Sequence, residues 1–169
     1  MKLGIVTDCY WPVIGGEQTH LAALARLLPA TFERSVITHM RASPRPSLWE
    51  RMVFMPAFDR YTDPAGTKVH PLLPSILGRF VLLPLLIWNM PFVRRLCPHA
   101  AFSFLYLFYK GAFYRRLAVL IKQLDCVYCV STGYLSILTG EICRRHSIAL
   151  VQQPTIHFGH WGDSPRQMR

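Results

Sequence analysis

Leu3-Gly4-Ile5-Val6-Thr7-Asp8-Cys9-Tyr10-Trp11-Pro12-Val13-Ile14-Gly15-Gly16-Glu17-Gln18-Thr19-His20 lies almost at the start of the chain, and its reading decides the fold. Residues 3–7 are a short, nearly unbroken apolar run. A strand with one wet face would alternate, so this run reads as a strand covered on both faces, as in a parallel sheet. Residues 8–16 read as a loop. From Thr19, a plausible N-cap, Leu21, Leu24 and Leu28 recur at helical spacing until Pro29, which lacks the N–H a helix needs. Residues 34–38 supply a second β-rich run. Strand, glycine loop, helix, strand is the opening unit of a doubly wound α/β fold, a Rossmann-like parallel sheet with helices on both faces.

Beyond this unit, Pro44, Pro46, Pro56 and Pro64 punctuate a loop-rich stretch, with a short strand expected at 67–70. Residues 74–124 read as two or three helices broken near Pro84, Pro91 and Pro98, the last over 113–124. Order returns with a strand at 126–130, a helix over 135–146 and a strand at 148–152. Residues 154–169 read as a loop, which gives the chain the look of one cut short. The expectation is one domain over 1–169, since 169 residues with 51% hydrophobic content suffice for a single core and not for two.

The formal charge of +10, from 19 lysines and arginines against 9 acids, implies a surface that attracts polyanions or an anionic membrane. The bases do not form a stripe on one predicted helix, and nucleic acid is not the expected partner. In Arg79-Phe80-Val81-Leu82-Leu83 and Phe92-Val93-Arg94-Arg95-Leu96 they stand beside large apolar residues, a mixture suited to a lipid interface. A buried helical layer with solvated arginines accounts for the same composition. The apolar stretch 80–93 holds two prolines and falls short of the ~20 residues of a membrane crossing. Five cysteines and no recognisable secretory signal point to a reducing compartment, so the expected location is cytoplasmic, with peripheral contact to the inner membrane face.

Gly15-Gly16 falls between the first strand and first helix, where backbone N–H groups and the positive helix end are offered to an anion. A tight turn without ligand satisfies the same spacing. Neither G-x-G-x-x-G nor G-x-x-x-x-G-K-[ST] occurs, which argues against a dinucleotide oxidoreductase or a P-loop NTPase. Cys126-x-x-Cys129 would place its thiols on opposite faces of a strand and reads as core. His157-x-x-His160 could bind a metal only with a third ligand, for which Asp163 is the sole local offer, and no metal is expected.

Residues 8–20 resemble the opening of family 4 retaining glycosyltransferases of the GT-B fold. Members carry an aromatic-Pro pair, a Gly-Gly pair and a helix with a G-G-x-E-x-H pattern after the first strand. Glu17 stands here where a small apolar residue is usual and Gln18 where Glu is usual, while His20 matches. The resemblance resumes at 125–131 and again at 148–163, where Gln153-Pro154-Thr155-Ile156-His157 is similar to a loop that presents a histidine to the cleft.

The resemblance implies one half of a GT-B fold, the amino-terminal, acceptor-side domain, transferring a sugar from a nucleotide-sugar to an acceptor glycan or glycolipid with retention. His157 takes the catalytic place as a hydrogen-bond donor to developing negative charge, Gly15 and Gly16 the donor phosphate, and Tyr10, Gln18, His20 and Asp163 places in the cleft or at the acceptor. No cofactor is implied beyond the donor substrate. The family's E-x7-E pair belongs to a second, donor-binding domain. Glutamates stand only at 17, 33, 50 and 141, no two of them eight apart, so that domain is expected in cis or as a separate chain. Half a cleft forfeits the positioning that drives transfer, and the chain alone is expected to be inactive. Two readings of other kinds are a subunit of a split transferase and a non-catalytic module that binds a membrane surface.

Overall fold

The run at 3–7 becomes the middle of a sheet. In a computed structural model, which describes residues 1–8, 10, 16–29, 31–39, 61–74, 76–88, 92–93, 102–131 and 133–153, strand β1 (Lys2–Thr7) pairs in parallel with β2 (Glu33–Thr38) on one side and β5 (Cys126–Val130) on the other. β4 (Lys68–Pro71) extends the sheet beyond β2, and β6 (Ala149–Gln152) extends it beyond β5, both in parallel. A two-residue β3 (Tyr61–Thr62) caps β4 antiparallel. The order is β3-β4-β2-β1-β5-β6. Successive strands run outward from β1 in one direction and then in the other, which makes this a doubly wound α/β fold.

Alternation along the strands divides the core into two layers. Ile5, Val36, Val69 and Val130 face α1 (Gly16–Leu27), whose Leu21 is fully buried against them. Val6, Ile37, Val127 and Cys129 face the opposite layer, formed by α2 (Ile76–Val81), α3 (Leu83–Trp88), α4 (Phe102–Ile121) and α5 (Tyr134–Arg145). Tyr106 of α4 donates its hydroxyl to Glu141 of α5 at 2.9 Å, and Lys110 pairs with the same carboxylate. At the amino end of β1, Gly4 makes room for a neighbouring side chain. A Cβ there would stand 2.2 Å from Cδ1 of Leu124, the residue that leads into β5.

Two expected boundaries move. Helix α1 starts at Gly16, so Thr19 lies inside it rather than capping it. The last helix of the middle region is α4, which begins eleven residues before the expected 113 and buries Leu105, Tyr109, Ala112 and Phe113 on one face. Pro84 stands in the first turn of α3, where its missing N–H has no partner to lose. The expected loop at 154–169 lies outside the described residues.

Candidate functional site

Every parallel strand ends at the same edge of the sheet, and β1 and β5 are the neighbours from which the chain winds in opposite directions. Ligands of such sheets bind in the crevice outside the carboxyl ends at this switch point. Here the residues just past the strands are polar. Ser131, following β5, donates from Oγ to Oδ2 of Asp8, following β1, at 2.7 Å. Thr38, at the end of β2, donates from Oγ1 to the Asp8 carbonyl at 3.3 Å. Ser131 and Thr38 are buried, whereas Asp8 is partly exposed.

His39 continues this row after β2. Its Nδ1 lies 3.3 Å from the Leu72 carbonyl, and its Nε2 hydrogen-bonds the Tyr109 hydroxyl of α4. A carbonyl only accepts, so Nδ1 carries the proton and Nε2 accepts from Tyr109. Burial holds the His39 pKa below the usual histidine value, with the Asp8 carboxylate and the Leu72 carbonyl pulling the other way. Burial likewise pushes the Tyr109 hydroxyl well up, again with Asp8 contributing. Imidazole, phenol and hydroxyl are thus hydrogen-bonded to one another or to the main chain beneath the switch point, and the partly exposed Asp8 is the group of this row whose oxygens can accept from a hydroxylated ligand.

Gly16 opens α1 at this same edge, because α1 runs back over the face from the carboxyl end of β1. The backbone N–H groups of its first turn lack intrahelical partners. Gln18 falls in that turn, and His20 is exposed on the next. Tyr10 sits elsewhere: it is 1% exposed among Ile5, Leu21 and Val36, and its hydroxyl donates to Oδ2 of Asp63 at 2.7 Å. The other oxygen of Asp63 accepts from the N–H groups of Ala65 and Thr67, which organises the β3–β4 turn. Tyr10 therefore serves the core, with its pKa raised by burial and by Asp63. Gly15, His157 and Asp163 lie outside the described residues, as does His160.

Cys129 is buried in the core, and its thiol is pushed up to about 11 by burial, while Cys126 is half-buried and free. Among the described residues no three His, Cys, Asp or Glu side chains come together as a metal-holding group. A pocket of about 120 Å³ opens away from the switch point, lined by Lys2, Glu33, Ser35, Lys68, His70 and Leu124 among others. Its Lys68 and Glu33 pair with each other at 3.0 Å and are largely exposed. It is a groove on the sheet face toward the amino edge and lacks the convergent buried groups of the opposite edge.

Asp8, His39, Tyr109 and Ser131 escape sequence reasoning as site residues. Three of them directly follow an apolar strand run, in Val6-Thr7-Asp8, Ile37-Thr38-His39 and Val130-Ser131, and that position was the available signal. Comparison with family models, with characterised proteins and with solved structures finds no match to this chain.

Proposed function

We propose that the chain is the acceptor-side half of a GT-B glycosyltransferase that moves a sugar, with retention, from a nucleotide-sugar to a glycan or glycolipid acceptor. The observation that carries the reading is the switch point between β1 and β5, where Asp8 and Ser131 hydrogen-bond at the sheet edge from which α1 starts at Gly16. In this reading Gly15, Gly16 and the first N–H groups of α1 take the donor diphosphate. Asp8 accepts hydrogen bonds from sugar hydroxyls, and His39 holds its partners without charge in the ground state. His157 donates to the diphosphate as the glycosidic bond to the donor breaks. A further domain, in cis or in a separate chain, holds the nucleoside and completes the cleft.

Titration of the chain with a nucleotide-sugar, followed by backbone amide NMR, tests this. Shifts concentrated at Gly16, Asp8, His39 and Ser131 are expected. Shifts confined to the groove around Lys68 and His70, or none at millimolar ligand, would overturn the assignment. Adding a donor-binding half should then release nucleotide diphosphate in the presence of acceptor.

A further inference from the structure

Residues 64–124 contain eight of the 19 lysines and arginines and none of the nine acids, so this third of the chain carries most of the net charge. The helices it forms also leave large apolar side chains in water. Leu77 is 77% exposed, Phe80 66% and Leu107 62%, with Ile87, Phe92 and Phe104 each more than half exposed. A scattered exposed leucine is ordinary, whereas a cluster marks a contact surface.

The short helix α2 packs along α4, which brings the exposed groups of the two helices near one another. Phe104, Leu107, Gly111 and Arg115 recur at three- and four-residue spacing along one exposed side of α4. A Cβ at Gly111 would lie 3.3 Å from Cγ1 of Val81, so the end of α2, with Phe80, abuts that stripe. Beneath, Leu82, Leu85, Leu105 and Tyr109 are buried in one core and hold the three helices together. The ridge lies toward the carboxyl edge, where Tyr109 reaches His39.

We infer that the ridge formed by Leu77, Phe80, Phe104 and Leu107, with Arg115 beside it, docks this chain on an anionic lipid surface. Charge complementarity selects the occupant: a ridge that is apolar, carries Arg115 and belongs to a segment with eight bases and no acid matches the interface of an anionic bilayer, which presents phosphates above acyl chains. Docking is superficial, because no helix among the described residues is long and apolar enough to cross a membrane. The ridge flanks the crevice edge, so a lipid-borne ligand would reach the site without leaving the surface, a consequence that rests on the transferase reading while docking itself does not.

Vesicle flotation tests docking without any assay of transfer. The chain is expected to float with vesicles containing about one-third anionic lipid, weakly with zwitterionic vesicles, and less as salt rises. Replacing Phe80 and Leu107 together by Ser should lower partitioning by roughly tenfold or more, because two large side chains lose their apolar burial. Arg115→Gln should reduce the preference for anionic lipid several-fold. Leu27→Ser, at an exposed leucine of α1 away from the ridge, should change nothing, and circular dichroism should show all variants folded. Failure to float with anionic vesicles, or equal flotation of the Phe80→Ser/Leu107→Ser chain, overturns the proposal. A lipid-independent dimer that this double variant dissociates, with no flotation, would assign the ridge to a second copy instead.

Discussion

His39 is a buried residue whose titration the fold constrains near neutral pH. Burial depresses its pKa, so in acid the unfolded chain takes up a proton that the folded chain resists. The unfolded state then binds more protons, and stability rises with pH across that window. No penalty exists above the ordinary histidine value of 6.5; it grows as pH falls through 6.5 toward the folded value. Urea unfolding at about pH 7.5 and about pH 5.5 should therefore show a loss on acidification that His39→Gln reduces, since Gln offers a donor and an acceptor without a charge. His146, at the end of α5, is depressed in the same direction and remains in the variant, so some slope should persist. An unchanged slope would show that His39 is not held neutral. The Asp8–Ser131 bond makes a second claim at this scale. Asp8→Ala removes the carboxylate that accepts from the buried Ser131 hydroxyl and should cost about 1 kcal/mol in urea unfolding, while Asp8→Asn, which keeps an acceptor oxygen, should cost less.

Elements were legible wherever one chemical pattern dominated. The strands β1 and β5 are short, mostly apolar runs and β2 carries Val36-Ile37-Thr38, so tertiary contacts follow what β-branched residues at those positions favour. α4 was harder to read, because Phe102, Phe104, Tyr106 and Phe108 alternate with smaller or aliphatic residues as a strand would. In the fold Leu105, Tyr109, Ala112 and Phe113 form the buried side, a helical spacing that becomes visible only once the sheet supplies the surface to pack on. The switch-point residues were illegible for a related reason: Asp8, His39 and Ser131 are far apart in sequence, and only the strand order brings them to one edge. Gly4 makes the packing between β1 and the lead into β5 testable. Gly4→Ala should destabilise by about 1–3 kcal/mol, because its Cβ overlaps the Leu124 side chain. In a Leu124→Ala background the same change should cost at least about 0.5 kcal/mol less. Equal costs in the two backgrounds would place the strain elsewhere.

At the scale of the whole molecule, a net charge of +10 complicates any claim of specific anion binding, since every polyanion will relieve some self-repulsion. The helix start at Gly16 offers a way to separate the two effects. Gly16→Asp puts a carboxylate at the positive end of α1, which favours the helix and should leave the fold intact or slightly more stable. The same carboxylate would repel a phosphate seated there. A nucleotide-sugar at about 100 times its dissociation constant should raise the stability of the wild-type chain by about 2.7 kcal/mol, a rise of roughly 5–10 °C in Tm for a domain of this size. In Gly16→Asp that rise should largely vanish, while the small shift caused by an indifferent polyanion at matched ionic strength should persist in both proteins. A nucleotide-sugar shift that survives Gly16→Asp would mean that the ligand is held by the diffuse charge of the surface rather than by the crevice, and the transferase reading would lose its donor site.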